Sequence, residues 1–342
     1  MIVNKSPILT NEGYKINYID LNIKVPNNSS EFKNIKIDSK NFKLLNKNIG
    51  SLDYKLSEEI YSNNKEYNNH KFIGETTNKS NIEIVYDFDD KNTNLINYIE
   101  INALHNTDIT FIYKSNTSDY NFLNSILKIN VLNESKVNVN IVNLLNNLSN
   151  CFLNIESHIK INGKINFNII DFGGLNSISN IYLNALEDNS SGKINTIYMA
   201  NNNELKDINY ISCLHGKKSI IDMNVEGTLS DLSKKNFKGT IDFKKGSVKS
   251  IGEENENCVL LSDNAISKAL PILLCSEEDV SGAHSASAGK IDNEQIYYLM
   301  TRGINKKEAV KLIINGKFYK VINRIKNEEY KKMIMDEINR RL

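Results

Sequence analysis

The sequence contains no tryptophan, only three prolines and only four cysteines among its 342 residues. No proline lies between residues 27 and 270, so over that range no proline removes a backbone N–H from a potential β-ladder. The four cysteines are widely spaced, and no two of them form a C-x-x-C pair. This spacing argues against a disulfide framework and predicts free thiols in a reducing cytoplasm.

An excess of charge of either sign is also missing, because 42 Lys and Arg residues face 41 Asp and Glu residues and give a net charge of +1. No overall field therefore steers the protein towards nucleic acid or a membrane. The N-terminal residues contain no apolar core of signal-peptide length, and no run of about 18 apolar residues occurs. We therefore expect a globular, cytoplasmic protein, in keeping with 40% hydrophobic and 24% charged residues.

Glycine-rich phosphate-binding motifs are absent as well. The pairs Gly163-Lys164, Gly192-Lys193 and Gly216-Lys217 each lack the glycine five residues upstream that a P-loop requires. No G-x-G-x-x-G sequence occurs either. We therefore expect this chain not to hydrolyse nucleotides itself; if ATP drives its work, a partner hydrolyses the ATP.

What the sequence does contain is a series of short segments in which apolar and polar residues alternate. Alternation with a period of two, bounded by Asn, Gly, Asp and Ser, predicts β-strands. The segments are residues 82–86, 109–113, 126–131, 137–141, 158–161, 165–169, 194–198, 220–225 and 239–243. Many short strands without intervening helices predict a sandwich, a barrel or a solenoid. Recurrent Asn and few tight hairpin signals favour the solenoid, although no fixed-period repeat can be read.

A first capped helix is predicted after the last of these strands. Asp292 serves as an N-cap with Gln295 three residues on, which is a capping-box pattern. Gly303 then supplies the left-handed residue that ends such a helix. Between them, three apolar residues at i, i+3 and i+4 predict one apolar helical face: Ile296, Leu299 and Met300.

A second helix repeats this pattern, with Asn305 and Glu308 as its capping pair and Gly316 as its predicted end. Its predicted apolar face consists of Ala309, Leu312 and Ile313. Helical spacing continues to the C-terminus with a break at Asn327.

These patterns divide the chain into three parts. Residues 1–78 form a partly irregular N-terminal region with a helix near residues 57–61, residues 79–290 form the β-solenoid core, and residues 291–342 form a C-terminal helical region. Because the last rung of a solenoid has an unpaired edge, we expect the helical region to cap it.

The stretch from His284 to Ile304 reads H-x-A-x-x-G-x-I-D-x-E-Q-x-x-Y-L-x-x-R-G-I and resembles the SufB/SufD family of iron–sulfur cluster assembly proteins. The resemblance continues to Phe318 and extends upstream to about His215. It implies a right-handed parallel β-helix core followed by a helical C-terminal region. It also implies association with SufB-like and SufC-like proteins, the latter an ABC-type ATPase.

Two departures from the family pattern indicate which paralogue this chain resembles. SufB proteins carry a scaffold cysteine six residues before the proline that matches Pro271, and this position is Ala265 here. Gly282 stands where many SufD proteins have a cysteine. The chain therefore resembles SufD more than SufB. Of the nearby thiols, Cys258 and Cys275, we expect both to be buried and inert.

The resemblance also implies two residues at the site of cluster formation. His284 matches a histidine near the SufB–SufD interface, and an imidazole can ligate iron or shuttle protons near neutral pH. On residues alone it would be an ordinary loop histidine. Glu294 matches an acidic position implicated as a ligand, although a glutamate in a first helical turn also complements the helix dipole. We expect any iron or cluster to be transient and shared with a partner.

Residues 305–318 are implied to dock the SufC-like ATPase, and within them we single out Asn305, Lys306, Lys307, Lys311 and Phe318. Without the resemblance, the lysines would be assigned to a solvated surface. The remaining histidines, His70, His105, His158 and His215, are interpreted as structural residues without a site.

Three alternatives remain. A SufB-like homodimeric scaffold would need another sulfur ligand in place of the missing cysteine. A β-helix carbohydrate-active enzyme would need paired carboxylates, for which Asp87, Asp89 and Asp90 are the candidates. A purely structural solenoid would leave the stretch from His284 to Phe318 unexplained.

Overall fold

The structure is a computed structural model that describes residues 1–10, 12–27 and 30–342. The first strands and helices lie in the N-terminal region: β1 (Ile2–Val3), a 3-10 helix (Glu12–Tyr14), β2 (Ile19–Asp20), β3 (Ile35–Leu44) and α1 (Glu58–Tyr67). Fifteen longer strands follow: β4 (His70–Phe88), β5 (Asn94–Ala103), β6 (Thr107–Ser115), β7 (Phe122–Val131), β8 (Lys136–Leu144), β9 (Asn150–Ile159), β10 (Lys164–Asp171), β11 (Asn176–Ala185), β12 (Ser191–Ala200), β13 (Leu205–Leu214), β14 (Ile220–Leu229), β15 (Lys234–Phe243), β16 (Ser250–Leu260), β17 (Ile266–Cys275) and β18 (Val280–Gly289). Three helices end the chain: α2 (Asn293–Thr301), α3 (Lys306–Ile322) and α4 (Glu328–Arg341).

The long strands form a parallel β-helix, as predicted. Odd-numbered strands from β5 to β17 pair in order on one face, and even-numbered strands from β6 to β18 pair on the other. The long strand β4 starts both faces, because its first half pairs with β5 and its second half with β6. Pairing is parallel and in register, so residues one turn apart in sequence stack directly over one another.

A left-handed residue marks the same corner of successive turns. Five connections from the odd face to the even face each contain one residue with a φ between 54° and 62°, namely Glu134, Asn162, Asn189, Lys218 and Lys249. This conformation is costly for most side chains but reverses the chain direction within a short turn. Only two of the five are Asn, which explains why the repeat escapes a search for one recurring residue type.

The core lies between the two faces of the β-helix. One interior column of the even face runs through five fully buried apolar residues in register, Ile109, Val139, Phe167, Ile194 and Met223. Removing apolar surface from water stabilises such a column by about 25 cal/mol per Å². This column therefore stays apolar from β6 to β14.

The N-terminal region covers the outer surface of the odd face. Helix α1 begins at its N-cap Ser57, whose side chain accepts a hydrogen bond from the Ile60 backbone N–H at 3.0 Å. Ile60 and Leu56 then pack among buried outward-facing residues of the odd strands, including Phe122 and Phe152. The helix predicted near residues 57–61 is therefore present and extends to Tyr67.

The C-terminal helices cover the outer surface of the even face. The ring of Phe318 in α3 lies 6.0 Å from the ring of Phe172, and Ile334 and Ile338 of α4 join the same buried cluster. The prediction that this unit caps the last rung is therefore wrong, because its apolar surface is buried against the side of the β-helix. Among the described residues, no helix combines the length and the apolarity needed to cross a bilayer.

The predicted helix caps are confirmed, but one predicted end is not. The side chains of Asp292, Asn305 and Asn327 cap α2, α3 and α4. Gly303 has a φ of 88° and follows α2, as predicted. Helix α3, in contrast, continues through Gly316 to Ile322, because buried residues beyond Gly316 hold the next turns against the sheet.

Candidate functional site

The open end of the β-helix is the candidate site. In the described part of the chain, β17 pairs only with β15 and β18 pairs only with β16, so each leaves one backbone edge free. Every residue of β18 after Val280 is exposed. These residues are small or polar, and an edge of this kind is a template for pairing with a strand of another chain.

His284 lies on β18 and continues an interior column of the β-helix. Its register partner on β16 is Glu254, and the register partner of Glu254 on β14 is Met223. The column that is apolar from Ile109 to Met223 therefore changes to a carboxyl group and then to an imidazole at the open end. His284 is exposed because no further rung of the described chain covers it.

Glu254 is a buried acid without a hydrogen-bonding partner. Its side chain is 1% exposed, and among the described residues neither carboxyl oxygen takes part in a hydrogen bond. Burial, with a further contribution from the charge of Glu256, raises the pKa of Glu254 to about 8. At neutral pH the group is therefore mostly protonated, one strand away from His284.

Gly239 makes room for this carboxyl group on the opposite face of the β-helix. A Cβ atom at position 239 would lie 2.3 Å from one oxygen of Glu254 and 2.4 Å from its carboxyl carbon. A side chain at position 239 would therefore require the Glu254 carboxyl group to move, so the glycine makes room for the acid in its present position. The next residue in this column, on the edge strand β17, is Pro271.

A second acid of the same strand is neutralised inside the β-helix. An oxygen of Glu256 lies 2.8 Å from Nζ of Lys235, and both side chains are fully buried. The Tyr198 hydroxyl donates a hydrogen bond of 3.1 Å to the same oxygen. Two residues further along β16, Cys258 is buried as predicted, and this burial raises the pKa of its thiol.

Sequence patterns did not single out Glu254 or Glu256. The available signal was the alternation Gly252, Glu254, Glu256 and Cys258, which places two acids on one face of a strand. That face is the buried one only because β16 lies within a closed solenoid. The strand pattern alone does not show which of its two faces is buried.

Ala265 and Gly282, the two positions that depart from the expected family pattern, lie near this end. Ala265 is 9% exposed and belongs to the core. A Cβ atom at Gly282 would lie 3.0 Å from both Cδ atoms of Leu273, which is tight but not prohibitive. Cys275, at the end of β17, is exposed, so the prediction that it is buried is wrong. Its strand is the edge strand, and among the described residues no further turn covers it.

Glu294 lies in the first turn of α2 and is exposed. Its backbone N–H donates a hydrogen bond of 2.8 Å to Oδ1 of the N-cap Asp292. This position suits a carboxylate that complements the positive end of the helix dipole. No contact in the described structure joins Glu294 to His284.

The predicted docking residues divide into surface and core positions. Lys306 and Lys307 are exposed, Lys311 is half-buried, and Asn305 accepts a 3.0 Å hydrogen bond from the Glu308 backbone N–H. Phe318 is only 1% exposed, so its side chain belongs to the helix–sheet core and does not offer a contact surface.

Helices α2 and α3 also expose large apolar side chains, which sequence patterns partly assigned to buried faces. Met300 is 46% and Leu312 is 53% exposed, although both lie on a predicted apolar face. Three tyrosines on the same two helices are more than half exposed: Tyr297, Tyr298 and Tyr319. Large exposed apolar side chains concentrated on two packed helices are typical of a protein-binding surface.

The carboxylates considered for glycoside hydrolysis are held in a turn. Asp89 pairs with Asn92 through an isolated antiparallel β-bridge. Its carboxylate accepts hydrogen bonds from the backbone N–H and the side-chain amide of Asn92. Asp87 pairs with Lys114 at 2.9 Å, and Asp90 accepts a hydrogen bond from Thr117. These partners occupy the carboxylates, which supports the interpretation of this segment as a turn.

Several known proteins are similar to this chain in sequence. Residues 86–317 match the family model described as "SUF system FeS cluster assembly, SufBD core domain". The chain is 28% identical over 268 residues to the iron–sulfur cluster assembly protein SufD of Bacillus subtilis, covering 76% of this chain and 61% of that protein. It is 30% identical over 156 residues to SufD of Escherichia coli, covering 45% of this chain and 37% of that protein. The chain thus spans less than two thirds of either relative.

Proposed function

This chain belongs to the SufB/SufD family of iron–sulfur cluster assembly proteins, in which it is most like SufD, and we propose that it acts as the SufD-like subunit of an assembly complex. In this proposal the chain pairs with a SufB-like subunit and docks a SufC-like ATPase. It catalyses no reaction itself. Iron and the nascent cluster are cargo that this chain shares with the partner.

The single observation that carries the pairing is the open end of the β-helix. Two ten-residue edge strands, β17 and β18, leave their outer hydrogen-bonding groups without partners in the described chain. A β-helix end of a partner can add a rung to each edge, with main-chain hydrogen bonds supplying affinity. The small side chains of β18 allow that partner to approach closely.

At this interface we propose that His284 faces the cargo and that Glu254 acts through it. An imidazole is a good ligand for ferrous iron, whereas the buried acid below it holds a proton at neutral pH. The position of the scaffold cysteine is Ala265 here, and three of the four cysteines are buried. The thiolates that a cluster needs must therefore come mainly from the partner.

For the ATPase we propose a surface on α2 and α3 formed by Lys306, Lys307, Lys311 and the exposed apolar residues Tyr297, Tyr298, Met300, Leu312 and Tyr319. An exposed apolar group beside positive charges fits a partner surface with a hydrophobic centre and an acidic rim. Phe318 stiffens this surface from behind through its contact with Phe172. Motion of the ATPase would then reach the even face of the β-helix through the same core.

Co-purification tests this proposal. The tagged chain is co-expressed with the SufB-like and SufC-like proteins of the same genome, and the mass of the purified complex is measured. We expect all three proteins in one complex. The charge reversal Lys306→Glu with Lys307→Glu should remove the ATPase and leave the SufB-like subunit bound. A matched control, Lys36→Glu with Lys332→Glu, changes the charge equally at two other exposed positions.

Cluster formation is the second readout. His284→Ala should leave the complex assembled but lower the rate of cluster formation, measured by visible absorption after addition of iron and a sulfur donor. His105→Ala serves as the control, because His105 is also exposed and lies far from His284 in the sequence. A chain that ignores both partners, or that forms a homodimer and builds a cluster alone, would contradict the SufD-like assignment.

A further inference from the structure

Three residues that sequence patterns did not connect meet on the outer surface of the odd face. Glu156 and His158 lie two residues apart on β9, and therefore on the same face of the strand. Asp53 comes from the segment between β3 and α1, which crosses that surface. Nε2 of His158 lies 3.1 Å from Oδ2 of Asp53 and 3.8 Å from Oε1 of Glu156. His158 is therefore not isolated, because its ring nitrogen lies within hydrogen-bonding distance of Asp53.

The carboxylate of Glu156 is held in place and directed at this cluster. Its side chain is fully buried, and Oε2 accepts a 2.5 Å hydrogen bond from the backbone N–H of Asp53. The other oxygen, Oε1, is the one near His158, and the ammonium group of Lys128 lies 2.8 Å from it. A buried carboxylate is costly unless a cation compensates it, and a metal ion can supply that charge in place of the ammonium group.

The spacing of the three donor atoms is the spacing of metal ligands. All three lie within 4.8 Å of one another. Metal bonds of about 2.0–2.2 Å in a tetrahedral site place neighbouring donor atoms about 3.3–3.6 Å apart. The measured separations of 3.1 and 3.8 Å lie on either side of this range. Small side-chain movements would bring all three atoms onto one ion.

We propose that Asp53, Glu156 and His158 form a binding site for one divalent first-row transition-metal ion. One imidazole nitrogen and two carboxylate oxygens suit ions such as Zn²⁺, Fe²⁺ or Co²⁺. An imidazole ligand argues against Ca²⁺ and Mg²⁺, which take oxygen ligands. Three protein ligands leave at least one coordination position for water. This site is independent of the assembly function proposed above.

The ammonium group of Lys128 competes with a metal ion for the carboxylate of Glu156. Its Nζ lies 2.8 Å from Oε1 of Glu156 and donates a 2.9 Å hydrogen bond to the carbonyl oxygen of Ser51. In the metal-free chain the ammonium group balances the buried carboxylate from one side. Binding of a metal ion requires this group to move towards solvent, to which 15% of the side chain is already exposed. Lys128 therefore lowers the affinity without blocking the site.

The ion would join segments that are far apart in sequence. Asp53 belongs to the N-terminal region, whereas Glu156 and His158 belong to the β-helix, more than 100 residues later. Because the three donors meet only in the folded chain, binding must stabilise the fold. At free metal about 100-fold above the dissociation constant, we expect the melting temperature to rise by about 3 °C.

Titration of the full-length chain tests this proposal. The protein is treated with a chelator and dialysed, and Co²⁺ is added while the visible absorption of the bound ion is recorded. Zn²⁺ binding is measured in parallel by calorimetry. We expect one ion per chain at this site, with loss of the signal in Asp53→Asn and in His158→Ala. Both changes are at or near the surface, and circular dichroism verifies that the variants are folded.

Lys128→Met makes the test sharper, because removal of a competing charge should tighten binding by about tenfold or more. Lys114→Met, which removes a lysine from a surface ion pair with Asp87, is its matched control and should bind like the parent chain. His284→Ala and Cys275→Ser remove possible metal ligands at the open end. Both variants should bind the ion as the parent chain does, because the proposed site lies elsewhere. No binding by the parent chain and Lys128→Met, or binding that survives both ligand substitutions, would overturn the proposal.

Discussion

Replacing Glu254 with Gln should stabilise the folded chain, and the gain should grow with pH. Burial and the charge of Glu256 raise the pKa of this carboxyl group to about 8 in the folded state. In the unfolded chain the group ionises near its ordinary value of 4.5. Between these two values the folded chain holds a proton that the unfolded chain has released. The free energy of unfolding must therefore fall as pH rises through this window.

The size of this decrease in the free energy of unfolding follows from the difference between the folded and unfolded pKa values of Glu254. Each pH unit between these two values lowers the free energy of unfolding by about 1.4 kcal/mol. From pH 4.5 to pH 7 the loss amounts to about 3 kcal/mol, and above about pH 8 it stops growing because both states are then ionised. Gln has nearly the same size and no charge at any pH. The stability difference between Glu254→Gln and the parent chain should therefore rise by about 3 kcal/mol over that range.

Urea unfolding at a series of pH values between 5 and 9 measures this difference. Tyrosine fluorescence and circular dichroism are suitable signals, since the chain has 16 tyrosines and no tryptophan. Glu253→Gln is the matched control, because Glu253 is the exposed neighbour on the same strand and should show no comparable trend. A difference between Glu254→Gln and the parent that stays constant from pH 5 to 8 would show that Glu254 is ionised in the folded chain.

Further substitutions examine the packing beside Glu254 and beneath helix α3. Gly239→Ala should destabilise the chain by about 1–3 kcal/mol, because its Cβ would meet the Glu254 carboxyl group. Adding Glu254→Ala should recover part of this loss, and additive losses in a double-mutant cycle would contradict the contact. Phe318→Ala should lower the free energy of unfolding by about 3–5 kcal/mol, since the ring is buried against Phe172. The exposed Leu312→Ala should cost less than about 0.5 kcal/mol and should instead weaken ATPase binding; equal losses for both variants would refute this division into core and surface.

Local patterns predicted the local structure well. The alternating segments became strands because each strand of the β-helix has one face directed at the core, as in residues 137–141 of β8. The three helix caps at Asp292, Asn305 and Asn327 depend only on a side chain and the two or three residues after it. Both kinds of signal are complete within a short stretch of sequence, so they can be read without knowing the fold.

Arrangements between distant segments could not be read in this way. Helix α3 passes its predicted end at Gly316 because Phe318 and Ile322 are buried against the even face of the β-helix. The same packing places the helical region on the side of the solenoid and leaves its last rung open. Likewise, the cluster of Asp53, Glu156 and His158 exists only because the N-terminal region crosses the odd face.

The change of the interior column from apolar to polar explains where the site lies. A solenoid built only for stability would continue the column Ile109 to Met223 with another aliphatic residue, because a buried acid without a hydrogen bond destabilises the fold. Glu254 instead follows Met223, with a glycine opposite it to make room, and His284 follows Glu254 at the surface. In this column, the loss of stability falls in the rungs that meet the open end. A partner that covers this end would exclude water from His284, the register neighbour of the buried acid. The last rungs therefore have the properties expected of a surface that is completed by a second protein.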